Sequence, residues 1–285
     1  MNLAISTHNL CKSYGGHAVL RNVNLAVPEG AVYGFVGANG AGKTTTIRIL
    51  LGLAAASSGH ATVLGTARGE LPPTPVSGVA YLPDVPDISP WLRATDALIT
   101  LARLDGTPAD VAANRAADLL DVVGLAHVPG RVGSFSRGMK QRLGIAAALV
   151  SAPRLLVMDE PTSALDPLGR ADLLAVIREL TGRATVLFSS HILGDVEKVS
   201  THVGILDRGE LLAQGAVEDL LTGPGLGTGS LRVTAPLEAL NRISAAIRAT
   251  EPAAAVERES IGLEALFNAV SAQRVGTSAQ RGGRR

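Results

Sequence analysis

Eight residues, Gly37-Ala38-Asn39-Gly40-Ala41-Gly42-Lys43-Thr44, satisfy the spacing G-x-x-x-x-G-K-[ST] at every required position. Glycines at these points let backbone N–H groups turn inward around phosphate oxygens. A helix opening there adds the partial positive charge of its N-terminus. Lys43 is placed to reach β- and γ-phosphates, and the Thr44 hydroxyl to ligate magnesium. A glycine-rich turn could match by chance. However, Lys12, Lys43, Lys140 and Lys198 are the only lysines in the chain, so chance seldom puts one here. The segment is expected to bind nucleotide.

A second set of residues could act on the bound phosphates. Leu155-Leu156-Val157-Met158 is apolar and runs directly into Asp159-Glu160. A buried strand of this kind delivers Asp159 rigidly to a magnesium site. Glu160, one position on, can polarise a water against the γ-phosphate. Alone, the segment fits a core strand ending in solvated acids equally well; the upstream phosphate loop favours the chemical reading. Ser136-Arg137-Gly138-Met139-Lys140 reads as an N-capped helix start, with Gly138 in its first turn. Its free N–H groups offer a second anion site. An ordinary capped helix explains that segment alone. Two phosphate half-sites in one chain point to a dimer in which they meet. His191 follows Val186-Leu187-Phe188-Ser189-Ser190 and could hydrogen-bond a γ-phosphate, although a lone loop histidine is more often structural.

The elements that must position these groups alternate between strand and helix. Ala31–Val36 reads as a buried strand into the phosphate loop, and Thr45–Leu51 as the helix after it. Leu3–Leu10 and Val19–Val27 read as strands around Tyr14-Gly15-Gly16. His60–Leu64 and Gly78–Leu82 are short strands flanking the loop Leu71-Pro72-Pro73-Thr74-Pro75. Trp91–Leu104, Ala109–Val123 and Ser136–Val150 read as helices. Arg154–Met158 and Ala184–Phe188 read as buried parallel strands, with a helix from Asp166-Pro167 to about Leu180 between them. A helix over Ile192–Val199 and a hairpin, Val203–Leu206 with Leu211–Ala213, close this part. Gly and Pro from Gly223 to Gly229 mark a linker. Beyond it, Leu231–Thr234 could be a strand. Leu237, Leu240, Ile243 and Ile247 form one helical stripe, and Leu263, Leu266, Phe267 and Val270 another. Gln280–Arg285 reads as a disordered basic tail.

With 285 residues, 46% hydrophobic and 18% charged, the chain can bury a large core. A net charge of +1 argues against nucleic acid as a partner. Cys11 is the only cysteine, so no internal disulfide forms. Met1-Asn2-Leu3-Ala4 lacks the pattern of a signal peptide. No stretch reaches the ~18 apolar residues of a membrane span. A membrane role is therefore expected to need a partner.

Taken in order, the phosphate loop, Ser136–Gln141, Leu155–Glu160, Ser163-Ala164-Leu165-Asp166 and His191 resemble the ATP-binding cassette family over about residues 3–222. The resemblance implies an α/β P-loop NTPase fold with an N-terminal antiparallel β subdomain and a helical subdomain over about 84–150; the apolar stripes beyond the linker are expected to form a small α/β extension over 230–285. It makes Ser136–Lys140 the signature motif, Ser163–Asp166 the D-loop, His191 the switch histidine, and Tyr14 the ring stacked on adenine. Lys43, Glu160 and His191 are then catalytic. ATP contacts come from Tyr14, residues 37–45, Ser136 and Gly138, and metal contacts from Thr44, Asp159 and Asp84. Ser136–Ile145, Ser189–Leu193 and Gly262–Phe267 are similar to the exporter-type branch. That branch implies Mg-ATP, a head-to-tail dimer with a second copy of this chain or a homologous ATPase, and a separate integral membrane permease holding the chain at the cytoplasmic face. Two departures stand out. Asp84 replaces the usual Gln, so the coupling behaviour tied to that Gln is not carried over. Arg137 stands where many members have Gly, which adds charge at an exposed helix start. Two alternatives stay open: an importer ATPase, and a soluble ATPase acting on nucleic acid or ribosomes. The latter usually carries two cassettes or a long coiled-coil insertion, and neither is found here.

Overall fold

A computed structural model describes residues 2–70, 76–163, 165–222 and 237–250. The chain divides between Leu226 and Gly227 into two units. The larger holds two sheets and the helices packed on them.

Apolar runs without alternation produce the central sheet. Its strands are β4 (Val32–Val36), β7 (Val79–Leu82), β8 (Leu155–Met158), β9 (Thr185–Ser190), β10 (His202–Asp207) and β11 (Glu210–Ala216). The strand order is β11-β10-β4-β9-β8-β7, with parallel pairing from β10 to β7 and β11 antiparallel at one edge. Both faces are covered, which explains the lack of alternation. Val32, Val36, Leu156, Met158, Val186 and Phe188 enter one core cluster. Tyr33, Phe35, Leu155, Val157 and Leu187 point the other way into a second.

The second sheet joins β1 (Leu3–Tyr14), β2 (His17–Val23), β3 (Ala26–Pro28), β5 (Ser58–Val63) and β6 (Thr66–Arg68), all in antiparallel pairs. The expected Val19–Val27 strand is two strands. Asn22 adopts φ +50, and Asn24 bonds the Asn9 amide at 2.8 Å and the Asn22 carbonyl at 2.9 Å, which breaks the run. The helix α1 (Lys43–Leu50) joins both sheets, burying Ile47, Ile49 and Leu50 in the second cluster.

Between β7 and β8 lie α2 (Ala94–Leu104), α3 (Ala109–Val122), a single 3-10 turn at Val132–Ser134, and α4 (Arg137–Leu149). The second helix starts at Ala94 rather than Trp91, which is 67% exposed outside it. Polar caps fix two helix starts. Ser136 Oγ accepts from Met139 N at 3.2 Å to open α4. Asp166 Oδ1 accepts from Gly169 N at 2.8 Å to open α5 (Pro167–Glu179). The helices α6 (Leu193–Val199) and α7 (Val217–Thr222) complete the unit; α7, β6 and the 3-10 turn carry no clear sequence signal. Gly34 is required for close packing, since a Cβ there would meet Val196 Cγ1 of α6 at 2.2 Å.

In the second unit α8 (Leu237–Thr250) is helical, and its Leu240, Ile243 and Ile247 are half-buried. The Pro-rich loop, the 223–229 linker, the 231–234 strand, the second apolar stripe and the basic tail lie outside the described residues.

Candidate nucleotide site

Ligands in open α/β sheets bind beyond the carboxyl ends of the parallel strands. Here β4, β9 and β8 are adjacent, and Val36 pairs with Ser190 while Met158 pairs with Phe188. That register brings the phosphate loop, His191 and Asp159-Glu160 to one edge. The loop is anchored by Gly37 N donating to Ser190 O at 3.2 Å. Gly37 and Gly42 are sterically required. A Cβ at Gly37 would lie 2.3 Å from Leu206 O, and one at Gly42, with φ +111, would lie 2.6 Å from Leu20 Cδ2. Ala38, Asn39 and Gly40 form the exposed crest, whereas Ala41 and Gly42 are buried beneath it. Thr44 and Thr45 are half-buried in the first turn of α1.

Lys43 is 5% exposed. Its Nζ donates to Gly37 O at 2.7 Å and to Ala38 O at 3.2 Å, and lies 3.1 Å from Glu160 Oε1. His191 Nδ1 bonds Glu160 Oε2 at 2.8 Å, with the ring as donor to the carboxylate. Among the described residues Oε1 accepts no hydrogen bond, so it retains acceptor capacity. Glu160 itself adopts φ +47, a left-handed conformation rare for a side chain of its size. That turn aims its carboxylate back at Lys43 and His191.

The signature residues sit elsewhere. Ser136 and Gly138 line a cavity of about 290 Å³ with Arg142, Leu165, Asp166 and Leu168, and no residue of 37–45 lines it. Gln141 Nε2, buried, donates to Pro161 O at 3.1 Å and so ties α4 to the chain just past Glu160. Tyr14 is 48% exposed at the end of β1, with Lys12 Nζ 4.6 Å from its ring centroid. Asp84 Oδ1 accepts from Ser163 Oγ at 2.6 Å, and no described hydrogen bond joins it to Asp159 or Thr44. Both acids act on Tyr81, whose pKa is raised chiefly by burial, then by Asp159, with a smaller push from Asp84. Sequence reasoning passed over Asp195 and Ser189. Asp195 is buried, pairs with Arg170 at 2.6 Å and accepts from Thr162 Oγ1 at 3.1 Å. A carboxylate in the first turn of a short helix carries no signal that such a network exists.

Among the described residues no three His, Cys, Asp or Glu side chains form a metal cage. A magnesium ion that arrives with nucleotide needs only one or two carboxylates, because phosphates and water supply the other ligands. The hard oxygens of Asp159 and Thr44 fit that demand.

Together the sheet, the loop and the paired Lys43 and Glu160 define a P-loop nucleotide-binding protein. The ABC transporter family matches residues 20–163. The chain is 40% identical over 217 residues to the bacitracin transport ATP-binding protein BcrA of Bacillus licheniformis, covering 75% of this chain and 70% of that protein. It is 32% identical over 278 residues to the linearmycin resistance ATP-binding protein LnrL of Bacillus subtilis, covering 96% of this chain and 88% of that protein. A solved ATP-binding subunit of an ABC transporter superposes with TM-score 0.71 at 31% identity, covering 80% of this chain and 96% of that one. The chain belongs to the ABC transporter family and is one of its ATP-binding cassette ATPases.

Proposed function

We propose that this chain powers a membrane exporter. Two copies close head to tail on two ATP molecules, each held between one phosphate loop and the other copy's Ser136 helix. The observation that carries this reading is a separation within one chain. Lys43, Glu160 and His191 converge at the ends of the parallel strands, while Ser136 and Gly138 line a different cavity. One copy alone therefore offers half of each site.

Lys43 holds the β- and γ-phosphates, exchanging its Glu160 partner for them. Glu160, released from Lys43 and still oriented by His191, takes a proton from the attacking water. His191 reports the γ-phosphate through the same ring that touches Glu160. Tyr14 stacks on adenine. Thr44 and Asp159 hold magnesium, which when bound neutralises charge on the phosphates.

The relatives named for bacitracin transport and linearmycin resistance support an export direction. No helix among the described residues is long and apolar enough to cross a membrane. In this reading a separate permease supplies the path and holds the ATPase at the cytoplasmic face. Val85 and Trp91, exposed on the helical subdomain, form the contact. The test is co-expression with a permease encoded beside this chain. Membrane recovery should depend on that permease, and substrate efflux should be lost in Lys43→Ala. Efflux that survives Lys43→Ala refutes the reading.

A further inference from the structure

Ser189 is fully buried at the carboxyl end of β9, beside the two acids. Its Oγ lies 2.6 Å from Asp159 Oδ1 and 2.9 Å from the Glu160 amide nitrogen. The polarity of this pair of bonds is fixed. A carboxylate oxygen only accepts, so the single hydroxyl proton goes to Asp159. An amide only donates, so the same oxygen accepts from Glu160. The neighbouring serine is used differently: Ser190 Oγ accepts from Ile192 N at 3.0 Å and shapes the turn to α6.

Glu160 needs such a partner. Its left-handed φ of +47 is unfavourable for a residue with a Cβ. Its amide donates to Ser189 while its side chain reaches Lys43 and His191. Ser189 itself bonds to no residue of the phosphate loop.

We infer that Ser189 is a positioning residue whose single hydroxyl orients the Asp159 carboxylate and pins the Glu160 backbone at the same time. The inference rests on the proposed roles of those two acids. Loss of the hydroxyl should loosen Glu160 without removing a nucleotide contact. Turnover should then fall while ATP affinity holds.

The test compares full-length wild type, Ser189→Ala, Ser189→Thr and Glu160→Gln. Amide hydrogen exchange at Glu160 is read in nucleotide-free protein, and kcat and KM are read with Mg-ATP. Ser189→Ala should speed Glu160 exchange by about tenfold, the loss of one net hydrogen bond. It should lower kcat by about 10–100-fold, as losing the partner of a ligating carboxylate does, with KM changed less than about threefold. Ser189→Thr, which keeps the hydroxyl, should restore protection and rate. The inference is overturned if Ser189→Ala keeps wild-type Glu160 protection, or keeps kcat within about twofold while Glu160→Gln is inactive. Wild-type turnover in Glu160→Gln would instead defeat the assignment of the base, and the exchange measurement would still decide the pin.

Discussion

Replacing Glu160 by Gln separates the acid's stabilising role from its chemical one. The carboxylate faces Lys43 at 3.1 Å, and the two side chains are 16% and 6% exposed. Gln keeps the shape and a carbonyl that can accept from Lys43, but removes the charge. An exposed ion pair contributes about 0–1 kcal/mol, and removing one partner of a fully buried pair costs about 3–5 kcal/mol. This pair lies between the two, and about 1–2 kcal/mol is the expected destabilisation of nucleotide-free protein. Lys43 retains Gly37 O and Ala38 O, so its charge is not orphaned. For a unit of this size that energy lowers Tm by about 2–8 °C. The same energy runs the other way on binding. Glu160 competes with phosphate for Lys43, so its neutralisation should tighten ATP by about 5–30-fold. Hydrolysis should fall by about 10²–10⁴-fold, because the base is gone. Bound ATP that is not cleaved should hold the protein as a dimer. Calorimetry gives Tm and Kd, phosphate release gives kcat, and sedimentation gives the oligomer. Unchanged Tm and unchanged Kd would show that the ion pair carries no energy. Wild-type turnover would show that Glu160 is not the base.

Gly37→Ala should lower Tm at least twice as far as Gly40→Ala. The first drives a Cβ into the Leu206 carbonyl, and the second meets nothing within 4 Å and bears only the strain of φ +81, about 1–2 kcal/mol; equal losses would contradict this. Asp84→Gln should lower the Tyr81 pKa, since removing a nearby negative charge eases phenolate formation, and should change the magnesium dependence of turnover. An unshifted Tyr81 titration by NMR would show that the two groups do not interact. Trp91→Ala should leave Tm and basal ATPase nearly unchanged, because the ring is largely exposed, yet weaken recovery with the permease; undiminished recovery would move the contact elsewhere.

Much of the site was legible in the chain because it is local. The phosphate loop, the Asp159-Glu160 strand end, and the caps at Ser136 and Asp166 each depend on residues within a few positions of one another. Backbone sterics, helix ends and apolar runs are properties of short segments, so their spacing can be read directly. Residues 71–75, 223–236 and 251–285 lie outside what the structure describes, and the readings made there stand as sequence readings.

Tertiary structure decided which of those segments meet. The pairing of Lys43 with Glu160, of Asp84 with Ser163, and of Ser189 with both acids spans long stretches of chain. Each follows from the order β4-β9-β8-β7 and from a parallel register that leaves no mark in sequence, because strands buried on both faces read alike in any order. The sequence by itself determined what chemistry the chain carries. The sheet determined that Ser189, one of two adjacent serines, faces the acids while Ser190 faces away, since successive side chains on a strand point to opposite sides.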